Sequence, residues 1–181
     1  MSALSLPMGQ FYILSGPPGS GKSTLLKQLN LPEGFVVSSD HLRRMLYGVK
    51  LYREEGIDHE HLYGWNKPGS VIFDMMKVMC RERAKEGLTT FVDSTCLTES
   101  DRNDFAKIAA AHGMKTHVLI FGVPVAELRR RDEARLAKVG AHVIERMSKD
   151  LAKTSSLPYT TVKPGDTFTL AVPTLPGDLY D

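Results

Sequence analysis

The chain has 181 residues, 42% of them hydrophobic and 24% charged, proportions that exclude a disordered chain and suit one domain with a sizeable core. Its net charge of +2 is too small for a strong non-specific binder of an anionic polymer, so any basic site has to be local. Cys80 and Cys96 match no metal-binding spacing, and MSALSLPMGQ at the N-terminus has no basic segment followed by a long apolar one; reduced thiols in a cytoplasmic, non-membrane protein are expected.

Short apolar runs alternate with longer helical patterns, which predicts an α/β fold with a parallel sheet of about four to five strands flanked by helices. FYILS (11–15) reads as the first strand, and GPPGSGKST (16–24) follows it, opening the helical TLLKQL (24–29). FVVSS (35–39) reads as the second strand and leads into helical HLRRMLY (41–47). Residues 49–67 have little apolar periodicity and contain Gly56 and Gly64, with Pro68 beyond, so an irregular connection is expected there. A helix is predicted over 71–85 from apolar residues at 71, 72, 75, 76 and 79, then a strand at TTFVDS (89–94) and a helix over 99–112. THVLIFGV (116–123) is the fourth strand; after Pro124, AELRRRDEARL (126–136) reads as a charged helix, and a further helix spans 141–153. From Leu157 on, Pro158, Pro164, Pro173 and Pro176 are expected to break regular structure, although DTFTLAV (166–172) could add one edge strand or be a tail that docks elsewhere.

Gly16, Pro17, Pro18, Gly19, Ser20, Gly21, Lys22 and Ser23 satisfy G-x-x-x-x-G-K-[ST], between a strand and a helix as the mechanism of that motif requires. Glycines let backbone N–H groups converge on a phosphate, and the helix N-terminus adds a favourable dipole. Lys22 reaches the outer phosphates, and Ser23 offers a hydroxyl to Mg2+. Pro17 and Pro18 limit the loop's freedom. A bare turn would need neither the spacing nor Lys22, so residues from Gly16 to Thr24 are expected to bind ATP or another nucleoside triphosphate.

Three further features bear on what happens to the phosphate. VSSDHLRRML puts Asp40 just past the carboxyl edge of the second strand, where it could accept the proton of an attacking hydroxyl while Arg43 holds an anionic substrate, or where Asp40 could simply cap the next helix. Asp93 ends the third strand in FVDST, a position that suits a partner of the phosphate loop for Mg2+ or, again, a helix cap. In AELRRRDEAR, Arg131 and Arg135 are four apart and would share a helical face that closes over the triphosphate as a lid. The alternative is a solvated face with surface pairs between Arg131 and Glu127 and between Arg135 and Asp132 or Asp181.

In order, GPPGSGKST, VSSDHLRRM, FVDSTCLTESDRNDFAKIAAAHG and VLIFGVPVAELRRRDEAR resemble the polynucleotide 5′-kinase family of P-loop phosphotransferases, over roughly residues 10 to 155. The resemblance implies a single P-loop kinase domain over 1–181, with its core at about 10–155, a tail at 156–181 and an arginine-bearing helical lid. It implies that Lys22 and Ser23 serve ATP and Mg2+ and that Asp40 is the general base for an acceptor hydroxyl. Arg43 falls where the family engages the acceptor phosphate, Arg131 and Arg135 where it engages the donor phosphates, and Asp93 on the acid beside the loop. The asparagine often found in a D-x-T-N run is Cys96 here. The implied activity is transfer of the γ-phosphate of ATP to a hydroxyl of nucleic acid, DNA or RNA, with a 5′-OH end as the leading acceptor. A modified base, a small molecule or a sugar are the alternatives, and a nucleotide-binding switch without an acceptor is the reading from another class. Acceptor identity would come from 49–67, where Tyr52, Tyr63 and Trp65 could stack on a base and Arg53 and Lys67 could meet phosphates, or all could pack under a loop.

Overall fold

Five parallel strands in the order β3-β6-β2-β7-β8 form the centre of the computed structural model, which describes residues 3–32, 34–54, 57–62, 70–135 and 138–171, with backbone alone for 49–54, 57–62 and 70. The strands are β2 (Gln10–Ser15), β3 (Val36–Ser38), β6 (Thr90–Asp93), β7 (Lys115–Phe121) and β8 (Tyr159–Val162). Phe11-Tyr12-Ile13-Leu14 is apolar at every position because β2 is the middle strand, buried on both faces as parallel strands between helices are. Phe11 and Ile13 join Val92, Val118 and Ile120 on one face, under Leu42, Ile72, Met76 and Phe105. Tyr12 and Leu14 join Phe91, Leu119 and Phe121 on the other, under Leu25.

Helices α1 (Lys22–Leu29), α2 (Ser39–Tyr47), α3 (Ser70–Lys85), α4 (Glu99–Ala110), α5 (Val125–Glu133) and α6 (Ala141–Asp150) connect the strands. Thr98 and Asp101 close a reciprocal capping box at the start of α4. Among the described residues no helix is long and apolar enough to cross a membrane. Cys80 and Cys96 are free and buried, and burial pushes both thiols up to about 12.

Three segments differ from the sequence-based expectation. Residues 49–67 are not wholly irregular: β4 (Val49–Glu54) and β5 (Ile57–Leu62) pair antiparallel, from Val49 opposite Leu62 to Glu54 opposite Ile57. A two-stranded ladder needs only a two-residue connection and no apolar face as regular as a helix's, so its periodicity was faint. The stretch after Leu157 supplies β8, whose prolines, Pro158 and Pro164, sit outside the strand, on the sheet's edge, where a missing N–H costs nothing. DTFTLAV does form a strand, β9 (Thr167–Ala171), but its partner is β1 (Ala3–Pro7), in a separate parallel pair packed on α1 through Leu6 and Phe168. Strand β1 is not among the predicted elements, because its alternation of Leu4 and Leu6 with exposed Ala3, Ser5 and Pro7 runs over only five residues.

Candidate active site

Strand β2 is central, and the loop leaving its carboxyl end is built for close approach. Gly19 and Gly21 hold φ values of 80° and 110°, which side chains disfavour, and Gly21 caps α1 from that conformation. Gly16 meets a steric limit instead: a Cβ there would stand 2.8 Å from Ser20 Oγ, 2.9 Å from Phe121 Cβ and 3.2 Å from Phe121 O. The Gly16 N–H donates to Thr95 O at 2.9 Å and the Ser20 N–H to Pro17 O at 3.2 Å, which sets the loop's curve. Lys22, half-buried, donates from Nζ to Gly16 O at 2.7 Å and Pro17 O at 3.0 Å and so stands over the loop. Ser20 Oγ is buried inside this curve without a hydrogen-bond partner among the described residues, and the concavity suits an anion. Gly16→Ala is expected to lower stability by about 1–3 kcal/mol through overpacking, read as a fall in Tm. An unchanged Tm would mean that Phe121 and Ser20 yield freely.

The carboxylates converge on the same edge. In the sheet register Ser38 lies opposite Asp93, and Asp93 opposite Leu14, so the ends of β3, β6 and β2 are level. Ser38 Oγ donates to Asp93 Oδ2 at 3.1 Å; burial raises the Asp93 pKa, and Lys22 and Ser38 oppose that rise. The cap of α2 is Ser38, which accepts from the His41 N–H, so Asp40 sits inside the first turn and is not the cap. Asp40 is 64% exposed and 3.5 Å from Arg43 Nη1, whose side chain is only 13% exposed. Burial lowers the Lys22 pKa to about 8, with Asp93 and then Asp40 holding it up and Arg135 pressing it down, so all four charges share one neighbourhood.

Ser23, exposed at the start of α1, and Asp93 supply hydroxyl and carboxylate oxygens, the donor set of Mg2+. Among the described residues no group of three or more His, Cys, Asp or Glu could hold a metal. A divalent ion here would therefore depend on these two residues and on phosphate oxygens, as Mg2+ in nucleotide sites does.

Helix α5 runs over the loop with little anchorage, burying only Leu128 and Asp132. Arg131 Nη1 donates to Gly19 O at 2.9 Å, and Arg131 Nε to Glu127 Oε1 at 2.7 Å. Arg130 meets the same carboxylate at 2.7 and 2.8 Å, and the two guanidiniums hold Glu127 down at about 2. Arg129 pairs with Glu145 on α6. The surface pair between Arg131 and Glu127 therefore exists, and the same arginine also reaches the phosphate loop.

Arg135 differs from expectation: α5 ends at Glu133, so Arg135 does not share its helical face with Arg131. The buried Asp132 carboxylate accepts the Val139 and Gly140 N–H groups at 2.9 Å each, contacts seven and eight residues on that a continued helix could not make. Arg135 is exposed beyond that helix end, within electrostatic reach of Lys22. Its expected surface pairing with the Asp132 side chain is thereby pre-empted, and Asp181 lies outside the described residues. Tyr63, Trp65 and Lys67 likewise lie outside the described residues, as do the side chains of Tyr52 and Arg53.

A family profile described as an AAA domain matches residues 12–154, which include the loop, both carboxylates and the arginine helix. The chain belongs to that family. Its fold is that of P-loop kinases, as solved structures show. A candidate kinase from Chloroflexus aurantiacus superposes with a TM-score of 0.59 at 17% identity, over 87% of this chain and 84% of that one. A chain of the Pnkp1/Rnl/Hen1 RNA repair complex gives 0.61 at 20% identity, over 81% of this chain and 45% of that one, so this chain spans under half of its length. A gluconokinase from Sinorhizobium meliloti gives 0.53 at 16% identity, over 90% of this chain and 85% of that one. No curated protein matches the chain by sequence.

Two residues of this AAA-domain chain have roles that the sequence pattern does not announce. Asp132, which the sequence offers only as a surface partner for Arg135, is the one buried member of a charge run whose other members are half-buried or exposed. Arg102 is fully buried on α4 beside Phe105, Ala106 and Ala109. That spacing of i, i+3, i+4 and i+7 was the available signal: an arginine on the apolar stripe of an amphipathic helix has to be satisfied by something specific.

Proposed function

We propose that this AAA-domain chain is an ATP-dependent phosphotransferase that moves the γ-phosphoryl group to an acceptor hydroxyl, with a nucleic-acid 5′-OH end as the leading acceptor. The observation that carries this reading is Asp40: exposed, uninvolved in capping, close enough to Lys22 to raise its pKa, and beside Arg43. A hydrolase would have little use for an exposed carboxylate backed by a largely buried arginine at this sheet edge, whereas an acceptor needs both a base and a charge to hold it.

In the proposed reaction Gly16, Pro17, Pro18, Gly19, Ser20, Gly21 and Thr24 shape the cradle, and Lys22 pairs with the outer phosphates. Ser23 and Asp93 would hold Mg2+, which neutralises phosphate charge when bound. Asp40 takes the proton of the acceptor hydroxyl as its oxygen bonds to the γ-phosphorus, and the bond to the β-phosphate oxygen breaks to leave ADP. Arg43 orients the acceptor, and Arg131 and Arg135 balance charge on the transferring group.

The fold match to a chain of an RNA repair complex supports a polynucleotide acceptor, and the match to a gluconokinase keeps a sugar in the test. Labelled ATP with 5′-OH oligonucleotides, nucleosides, gluconate or water alone separates the readings. Label transferred to oligonucleotide ends is the expected result. Label on gluconate alone would move the acceptor to sugars, and release as phosphate alone would overturn the transferase reading.

A further inference from the structure

Arg102 joins three segments of the chain through one guanidinium. Its Nε and Nη2 donate to Ser15 Oγ at 3.1 and 2.8 Å, and Nε also to Cys96 O at 3.2 Å. Its Nη2 meets Leu97 O at 3.2 Å and Ala152 O, and its Nη1 meets Thr154 O at 2.8 Å. Glu99 Oε2 lies 3.6 Å from Nη1, and the other oxygen of Glu99 takes the Ser156 N–H at 2.8 Å.

Each segment leads to the phosphate site. Ser15 is the residue before Gly16, and its hydroxyl, donated to Cys96 O at 2.7 Å, is fixed in its rotor by the two bonds it accepts from Arg102. Cys96 holds φ at 38°, a left-handed backbone unusual for a cysteine, and Arg102 and Ser15 Oγ both bond its carbonyl. Ala152 and Thr154 follow α6 directly, and α6 carries Glu145, the partner of Arg129 on the arginine helix. Arg131 on that helix grips Gly19 at the loop's tip; Arg102 grips Ser15 at its root.

An apolar side chain of similar volume would fill this site without burying a charge. What the guanidinium adds is direction, because its donors lie at fixed angles in one plane and so fix where their acceptors stand. We infer that Arg102 is a positioning residue for the donor nucleotide, setting the root of the phosphate loop and the trailing end of α6 in one geometry so that the arginine helix stands over the phosphates. The inference rests on the phosphate-site reading above.

The test uses the full chain titrated with ADP and Mg2+ in a calorimeter, for the parent, Arg102→Lys, Arg102→Met, Ser15→Ala and Lys22→Ala. For the Arg102 variants a stoichiometry near the parent's with a Kd raised at least about tenfold is expected, since misplacement of binding groups by about an ångström has effects of that size or larger. Arg131→Ala should also weaken binding less in the Arg102→Met background than in the parent, because both side chains serve one arrangement. A reduced stoichiometry with an unchanged Kd would show that Arg102 only holds the fold and would overturn the inference. Should both Arg102 variants fail to fold, Ser15→Ala decides, since it removes the hydroxyl that two guanidinium donors meet and leaves Arg102 in place: a raised Kd supports the inference and an unchanged one overturns it. A Lys22→Ala variant that binds ADP as tightly as the parent would overturn the phosphate-site reading itself.

Discussion

Lys22→Ala is expected to weaken nucleotide binding by about two orders of magnitude and to abolish detectable transfer, because the ammonium is half-buried over the loop and truncating one partner of such a charge pair costs several kcal/mol. The fold should survive, since Nζ bonds only to the Gly16 and Pro17 carbonyls of its own loop. The pH dependence gives the same residue a second readout. Burial lowers its pKa from the ordinary 10.5 to about 8, so below pH 8 the free protein presents an ammonium and above it increasingly a neutral amine. Only the ammonium pairs with phosphate. ADP affinity should therefore be level up to about pH 8 and fall by roughly tenfold per unit above it, and in Lys22→Ala this fall should vanish. Calorimetric Kd values between pH 7 and 10 check both statements, and an affinity that stays level to pH 10 would remove Lys22 from the phosphate contact or restore its ordinary pKa.

Asp40→Asn should separate binding from chemistry. The side chain is mostly exposed and its ion pair with Arg43 is 3.5 Å long, so its loss barely touches stability. The amide cannot accept the hydroxyl proton, so transfer should fall by about 10²–10⁴-fold while the Kd for ADP stays close to the parent's. Single-turnover transfer to a 5′-OH oligonucleotide, set against calorimetric ADP binding, measures the two effects independently. Full transfer in Asp40→Asn would leave the carboxylate without a chemical role. ATP hydrolysis undiminished in the variant, with no acceptor labelled in either protein, would instead favour a nucleotide switch.

The departure at Cys96 has a backbone explanation. Its left-handed φ of 38° is a conformation that asparagine tolerates better than most residues, which suits the asparagine that the resembling family often carries there. The buried thiol contributes packing, and the functional contacts at this position come from its carbonyl, which Ser15 and Arg102 bond.

Much of this protein is set locally. The short apolar run Phe11–Leu14, ended by a glycine-rich turn, reads as a strand buried on both faces, and a glycine loop ending in Lys22 opens the next helix, so the fold class and the position of the proposed phosphate cradle were legible without coordinates. The edge that carries Asp40 and Asp93 was legible as well, because parallel strands of one sheet share a carboxyl edge, although the second strand ends at Ser38, one residue short of the predicted 35–39. Pairing across distance was not legible. Strand β1 finds β9 some 160 residues away, and neither carries a pattern that names the other. Nor does periodicity tell a helix where to stop: Arg131 and Arg135 are four positions apart, yet the helix ends between them, where the Asp132 carboxylate takes two backbone N–H groups from residues that a continued helix would carry away. The same holds for Arg102, one arginine among many in the sequence, whose acceptors on residues 15, 96, 97, 152 and 154 come together only when the chain has folded. Local propensity and spacing determined four of the five central strands, most of the helices and the glycine loop; the geometry that joins that loop to its arginine helix is a property of long-range hydrogen bonds, which exist only in the tertiary structure.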